Sequence, residues 1–145
     1  MPVRFFVEEI DFKINNPRKA VNWIKEAVKK ERRSLSDINY IFCDDPYLLG
    51  LNQGFLNHKT LTDIITFDYS EGKTIAGEIY ISIDRVKENS LKFQSDFEDE
   101  LHRVMIHGIL HLCGYNDKKA TEKSIMRKKE DAYLSLWKKM FHVKL

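Results

Sequence analysis

The chain reads as an α+β fold: a single domain in which a small four-stranded mixed sheet is packed with about five helices. Three observations predict it. Short β-rich runs (VRFFV, SDINYIFC, DIITFDY and GEIYISI) are interspersed with stretches of helical periodicity, in the order βαβαββααα. The length of 145 residues, with 43% apolar and 32% charged side chains, suits one hydrophobic core. No repeat, low-complexity segment or long linker divides residues 1–145.

Each element has its own local signal. Residues 3–7 form the first strand, and Ile10, Phe12 and Ile14 extend its alternation. Asn16 and Pro17 open a helix over 17–33, with Val21, Ile24, Ala27 and Val28 at helical spacing. Residues 36–43 are a second strand. Asp45 is placed as an N-cap, with Pro46 in the first turn of a helix weakened by Gly50 and Gly54. Residues 63–69 and 77–83 are the third and fourth strands, joined by Ser70, Glu71, Gly72 and Lys73 in a hairpin-like return. Asp84 is placed to cap a helix running to about residue 94. Ser95 and Glu98 have capping-box spacing ahead of an apolar helix over 97–113. Thr121 is the expected cap of a last helix, whose stripe is Ile125, Met126, Leu134, Leu136 and Trp137.

Composition narrows the function classes. No apolar run approaches a membrane span, and MPVRFFVEEI lacks the apolar core and cleavage site of a signal peptide, so a cytoplasmic protein with no membrane partner is expected. Cys43 and Cys113 are too few for a disulfide framework and sit among apolar residues, as buried reduced thiols would. The net charge of +2 hides an uneven distribution. Segment 17–33 carries seven basic residues against Glu26 and Glu31, and 118–145 carries nine against Glu122, Glu130 and Asp131. Such asymmetry suits a surface that meets a phosphate backbone, with Lys128 and Lys129 as candidate contacts.

The chemistry is concentrated in HGILHLCGYND. His107 and His111, four residues apart on a helix, fall about 40° apart around its axis and roughly 6 Å along it, so both imidazoles can reach one ion. Gly114 suits a left-handed helix ending, after which the chain can return Asp117 to the same ion. The offsets match the zincin pattern HExxHxxGxxH, with two differences. Gly108 stands where the peptidase's general-base Glu would be, and Asp117 replaces the third histidine. The pattern predicts a three-ligand site with an open position, zinc being the default ion at one per chain. Cys113, about 200° around the helix from His111, belongs to the core instead. A zinc peptidase is disfavoured, because the proton-transfer group is missing.

The same motif, preceded in order by an LN-x-x-F segment, a TDIITF strand and a GEIYIS strand, resembles the bacterial YbeY family. The resemblance runs from about Leu51 to Trp137. It implies a single-strand-specific, metal-dependent endoribonuclease acting in 16S rRNA 3′-end processing and ribosome quality control. It also implies precursor 16S rRNA and the 30S or 70S ribosome as partners. His107 and His111 match the family's first two metal ligands, and Asp117 stands where most members have a third histidine. Leu56 occupies the position of a family arginine, which is therefore absent, with His58 and Lys59 as candidate substitutes. Thr62 and Asp63 match a Pro-Thr-Asp/Asn segment, and Glu78 matches the acid of Gly-Asp-Ile. Asp63, Glu78 and His58 are the candidates for the base. The alternative from a different class is a non-catalytic, zinc-stabilised ribosome assembly or RNA-binding factor.

Overall fold

A computed structural model describes residues 2–55 and 61–142. Its elements are β1 (Val3–Val7), α1 (Pro17–Lys30), β2 (Ser34–Cys43), α2 (Asp45–Phe55), β3 (Ile64–Asp68), β4 (Thr74–Ser82), α3 (Ile83–Lys92), α4 (Phe97–Leu112) and α5 (Ala120–Met140). This is the order that the patterning predicts. The sheet runs β1-β2-β4-β3, with β1, β2 and β4 parallel and β3 antiparallel to β4. Connection length explains the mixture. A whole helix separates β1 from β2, whereas Glu71 and Thr74 exchange backbone bonds of 2.9 and 3.0 Å in a tight return that permits only antiparallel pairing.

Register sorts the strands into two unlike faces. On the first face lie Val3, Ile38, Gly77 and Asp68, then Phe5, Tyr40, Ile79 and Thr66, each set aligned across the sheet. This face meets α1 and α4 over the main core, where Trp23, Ile24, Met105, Ile106 and Ile109 are completely buried. On the second face, Arg4, Asn39, Glu78 and Phe67 align, as do Phe6, Ile41, Tyr80 and Ile65. Here Tyr47, Leu48 and Leu51 of α2 pack on Ile65, Phe67 and Tyr80 in a smaller cluster that includes Cys43.

Helix α4 sits at the centre, against α1, α3, α5, β3 and β4. It buries residues on most of its circumference, as a core helix must. The buried Tyr40 hydroxyl donates to the Met105 carbonyl across 2.9 Å, and the Trp23 indole N–H donates to Tyr133 across 2.8 Å. Gly108 sets the closeness of helix to sheet. A Cβ there would lie 2.9 Å from Ile79 Cγ2 and 3.1 Å from Ile64 Cδ1. Only a hydrogen fits.

The helix starts differ from those expected. Asp44, not Asp45, accepts the Tyr47 N–H at 2.9 Å, because Asp45 is drawn into an ion pair with Arg85. Ser82 caps α3 by accepting the Arg85 N–H, while Asp84 accepts the N–H of Asp45. Asp96 precedes α4 without a side-chain cap, and Glu98 accepts from Asn15 rather than closing a box with Ser95. Helix α5 starts at Ala120, where Glu122 accepts the Lys119 N–H, and Ile125 is 51% exposed rather than in the core. In each case several polar residues compete at the boundary, and a partner distant in sequence or one residue's change of phase decides between them.

Two predictions follow from the packing. Gly108→Val should lower stability to urea by at least about 1–3 kcal/mol through overpacking against Ile79; an unchanged midpoint would mean that the helix can retreat from the sheet. His102 is buried against Trp137, with ring centroids 4.0 Å apart, and burial lowers its pKa to about 4. The unfolded chain takes up that proton near pH 6.5, so this stability is complete above pH 6.5 and is lost as pH falls toward 4. Between pH 7.5 and 5, His102→Phe should therefore lose about 2 kcal/mol less than the parent in chemical denaturation. Equal losses would show that His102 titrates normally.

Candidate metal centre

Since Gly108 faces the sheet, helical geometry places His107 and His111 together, roughly 60–100° to one side, at the edge of a cleft. Gly114, at φ 102°, ends the helix. Its N–H donates to the His111 carbonyl and that of Tyr115 to Leu110, both at 3.0 Å, the paired bonds of a Schellman ending. The reversal returns Asp117 to the helix. Its Oδ2 lies 3.1 Å from His107 Nε2 and 3.4 Å from His111 Nε2, and the two Nε2 atoms are 2.9 Å apart. A tetrahedral ion with bonds near 2.0–2.1 Å has ligand–ligand edges of roughly 3.3 Å, so this half-buried triangle fits one. His107, His111 and Asp117 could thus hold a metal ion.

The other ring nitrogens are also engaged. His107 Nδ1 is 2.6 Å from Glu130 Oε2, and His111 Nδ1 is 2.9 Å from the Tyr115 carbonyl. A neutral imidazole donating there leaves its Nε2 lone pair free for an ion. Burial favours the uncharged form of His107, but Glu130 and then Asp117 outweigh it and hold the pKa above its ordinary value. Burial alone would likewise raise the pKa of Glu130, yet His107 and Arg103 pull it down. Arg103 bridges Glu130 at 2.9 Å and Asp131 at 2.7 Å, anchoring α5 to α4.

A second carboxylate braces the turn. Glu31, just after α1, accepts from the hydroxyls of Tyr133 and Tyr115 and from Lys129. These donors offset the effect of burial and hold its carboxyl below the ordinary range. Arg33 also donates to the Cys113 carbonyl at 2.9 Å. Lys129 therefore belongs to the scaffold, which removes it as a simple phosphate contact. Both cysteines are free and buried.

The cleft, of about 800 Å³, is bounded by β3 on one side and by α3, α4 and α5 on the other. Thr62 and Asp63 line it across from His107, where burial raises the Asp63 carboxyl above its usual range. Arg127, whose side chain is 60% exposed, and Lys118 add positive charge at the opening. Glu78 is not brought to the ligands. It lies on the second sheet face, opposite to Gly77 and Ile79, and accepts from the Tyr69 hydroxyl at 3.1 Å. Leu56, His58 and Lys59 lie outside the described residues. Gly108 also bears on the peptidase reading: a Glu there would drive its Cβ into Ile79 and Ile64.

Sequence reasoning missed Glu130, Arg103 and Glu31. Arg103 had a usable signal, being one turn before His107 on the same helix. Glu130 and Glu31 had none, because their partners come from distant segments.

Comparison with known proteins places the chain in a family. The family model described as Endoribonuclease YbeY matches residues 6–138. A protein named Endoribonuclease YbeY from Flavobacterium psychrophilum is 55% identical over 139 residues, 96% of each chain. The protein of that name from Karelsulcia muelleri is 52% identical, covering 92% of this chain and 94% of its own. Among solved structures, the solution structure of TM1509 from Thermotoga maritima aligns with a TM-score of 0.66 at 29% identity, covering 97% of this chain and 91% of that one. The chain belongs to the YbeY endoribonuclease family.

Proposed function

We propose that this protein is a zinc-dependent endoribonuclease that cuts single-stranded RNA during ribosomal RNA maturation. Its substrate is the 3′ end of precursor 16S rRNA in 30S or 70S particles, it serves ribosome quality control, and its place is the cytoplasm. The observation that carries the reading is the convergence of His107, His111 and Asp117 at the cleft in a member of an endoribonuclease family. Two imidazoles and one carboxylate are a donor set that suits zinc. No described helix is long and apolar enough to cross a membrane.

Bound at these ligands, zinc would supply Lewis acidity and a water acidified toward neutrality. The chain's own residues do the rest. Glu130 and the Tyr115 carbonyl fix the two imidazoles, so their Nε2 atoms stay directed at one point. Asp63, with its carboxyl pushed above the ordinary range by burial, is the carboxyl across the cleft placed to accept a proton. Arg127 and Lys118 offer charge to the phosphates, a task that the missing family arginine at Leu56 leaves open. A non-catalytic assembly factor is the weaker reading. Three ligands leave a coordination position open, where a structural zinc site usually closes it with a fourth.

Elemental analysis should find close to one zinc per chain. His107→Ala and His111→Ala should lose both the metal and cleavage of a single-stranded 16S rRNA 3′-end fragment, whereas Asp117→His should keep the metal. Cleavage that survives in His111→Ala would assign the activity to a contaminating nuclease. Glu130→Gln should weaken metal affinity by about 10–100-fold, because the carboxylate that orients His107 becomes an amide. Unaltered affinity in a chelator competition would reduce Glu130 to a partner of Arg103 alone.

A further inference from the structure

The cleft extends past the metal ligands to the end of α3, where Asn89 and Phe93 line it together with Arg103, Val104 and His107. Phe93 terminates that helix, and its N–H donates to the Asn89 carbonyl at 2.9 Å. The two side chains thus rise from successive turns toward one cleft. Phe93 is 58% exposed, and the Lys92 ammonium lies over its ring, 5.5 Å from the centroid.

An exposed phenylalanine is unremarkable by itself, since much protein surface is apolar. Phe93 differs in position and company. It shares the cleft with His107, His111 and Asp117, has a cation at its ring, and has an amide one turn away. An aromatic face beside positive charge is the combination that binds single-stranded nucleic acid: the base stacks, and the cation follows the backbone. An Asn amide can add a donor and an acceptor at a base edge.

We propose that Phe93 is a base-stacking platform for the RNA strand held at the metal centre. An unpaired nucleobase near the cut phosphate lies on the phenyl ring, with the Asn89 amide at its edge and Lys92 reaching a flanking phosphate. In a duplex both faces of a base are covered by its neighbours, so only a single strand can use the platform. Phe93 is therefore a specificity-determining residue, and this rests on the endoribonuclease reading of the same site.

The test is binding of an RNA of about 12 unpaired nucleotides, followed by fluorescence anisotropy and checked by gel to be intact at the end of each titration, with the same sequence as a duplex for comparison. Phe93→Ala should weaken single-strand binding by about 5- to 100-fold and leave duplex binding and thermal stability unchanged. Phe93→Leu should lose as much, because it keeps the apolar surface without the π-face. Phe93→Trp should retain affinity, and its emission should be quenched by RNA, while Trp23 and Trp137 stay buried as a constant background. Wild-type affinity in Phe93→Ala overturns the platform alone. Wild-type affinity in Phe93→Leu overturns stacking in favour of plain apolar contact with the RNA. Failure of the parent protein to bind RNA overturns the endoribonuclease reading and the platform with it.

Discussion

The approach of α4 to the sheet at Gly108 is the constraint on which the rest of the structure depends. With no side chain there, the helix comes within contact distance of Ile79 and Ile64, closing the main core over β4 and β3. That contact also fixes the rotation of the helix. Once Gly108 faces the sheet, His107, His111 and Arg103 must all point toward the cleft and α5. The feature that denies this position a peptidase base therefore also orients the two histidines. Fold and site share one contact.

Helix α5 is held largely by polar anchors. Its buried residues are Met126, Glu130, Tyr133 and Trp137, a narrow apolar contribution for a helix of 21 residues. Two carboxylates make up the difference. Glu130 reaches α4 through His107 and Arg103, while Glu31 gathers Tyr133 and Lys129 from α5 and Tyr115 from the metal turn. A buried carboxylate is costly without donors, and each of these has at least two. Such anchors specify distance and direction more sharply than apolar contact, which is what a ligand sphere needs.

The edge position of β3 completes the cleft. Its antiparallel pairing with β4 brings Asp63 and Thr66 alongside the helix that carries the histidines, and alternation turns Ile65 and Phe67 toward α2. The same alternation turns Glu78 away from the metal ligands. One strand thus supplies both a wall of the cleft and the cover of a second small core.

The sequence by itself determined the element order, the mixed sheet with its helices, and the convergence of His107, His111 and Asp117. These depend on short-range geometry: strand alternation, helical pitch, and a glycine turn all act within about a dozen residues. His107, His111 and Asp117 meet because the backbone between them allows little else. The tertiary structure alone decided which polar residue caps each helix, which face Glu78 occupies, and which carboxylates brace the site. It also decided that Phe93 opens onto the same cleft as the histidines. Glu31 and Tyr115 are 84 residues apart, and His107 and Glu130 are 23 apart on different helices. No local periodicity encodes such pairs, because they exist only after the helices have packed around Gly108.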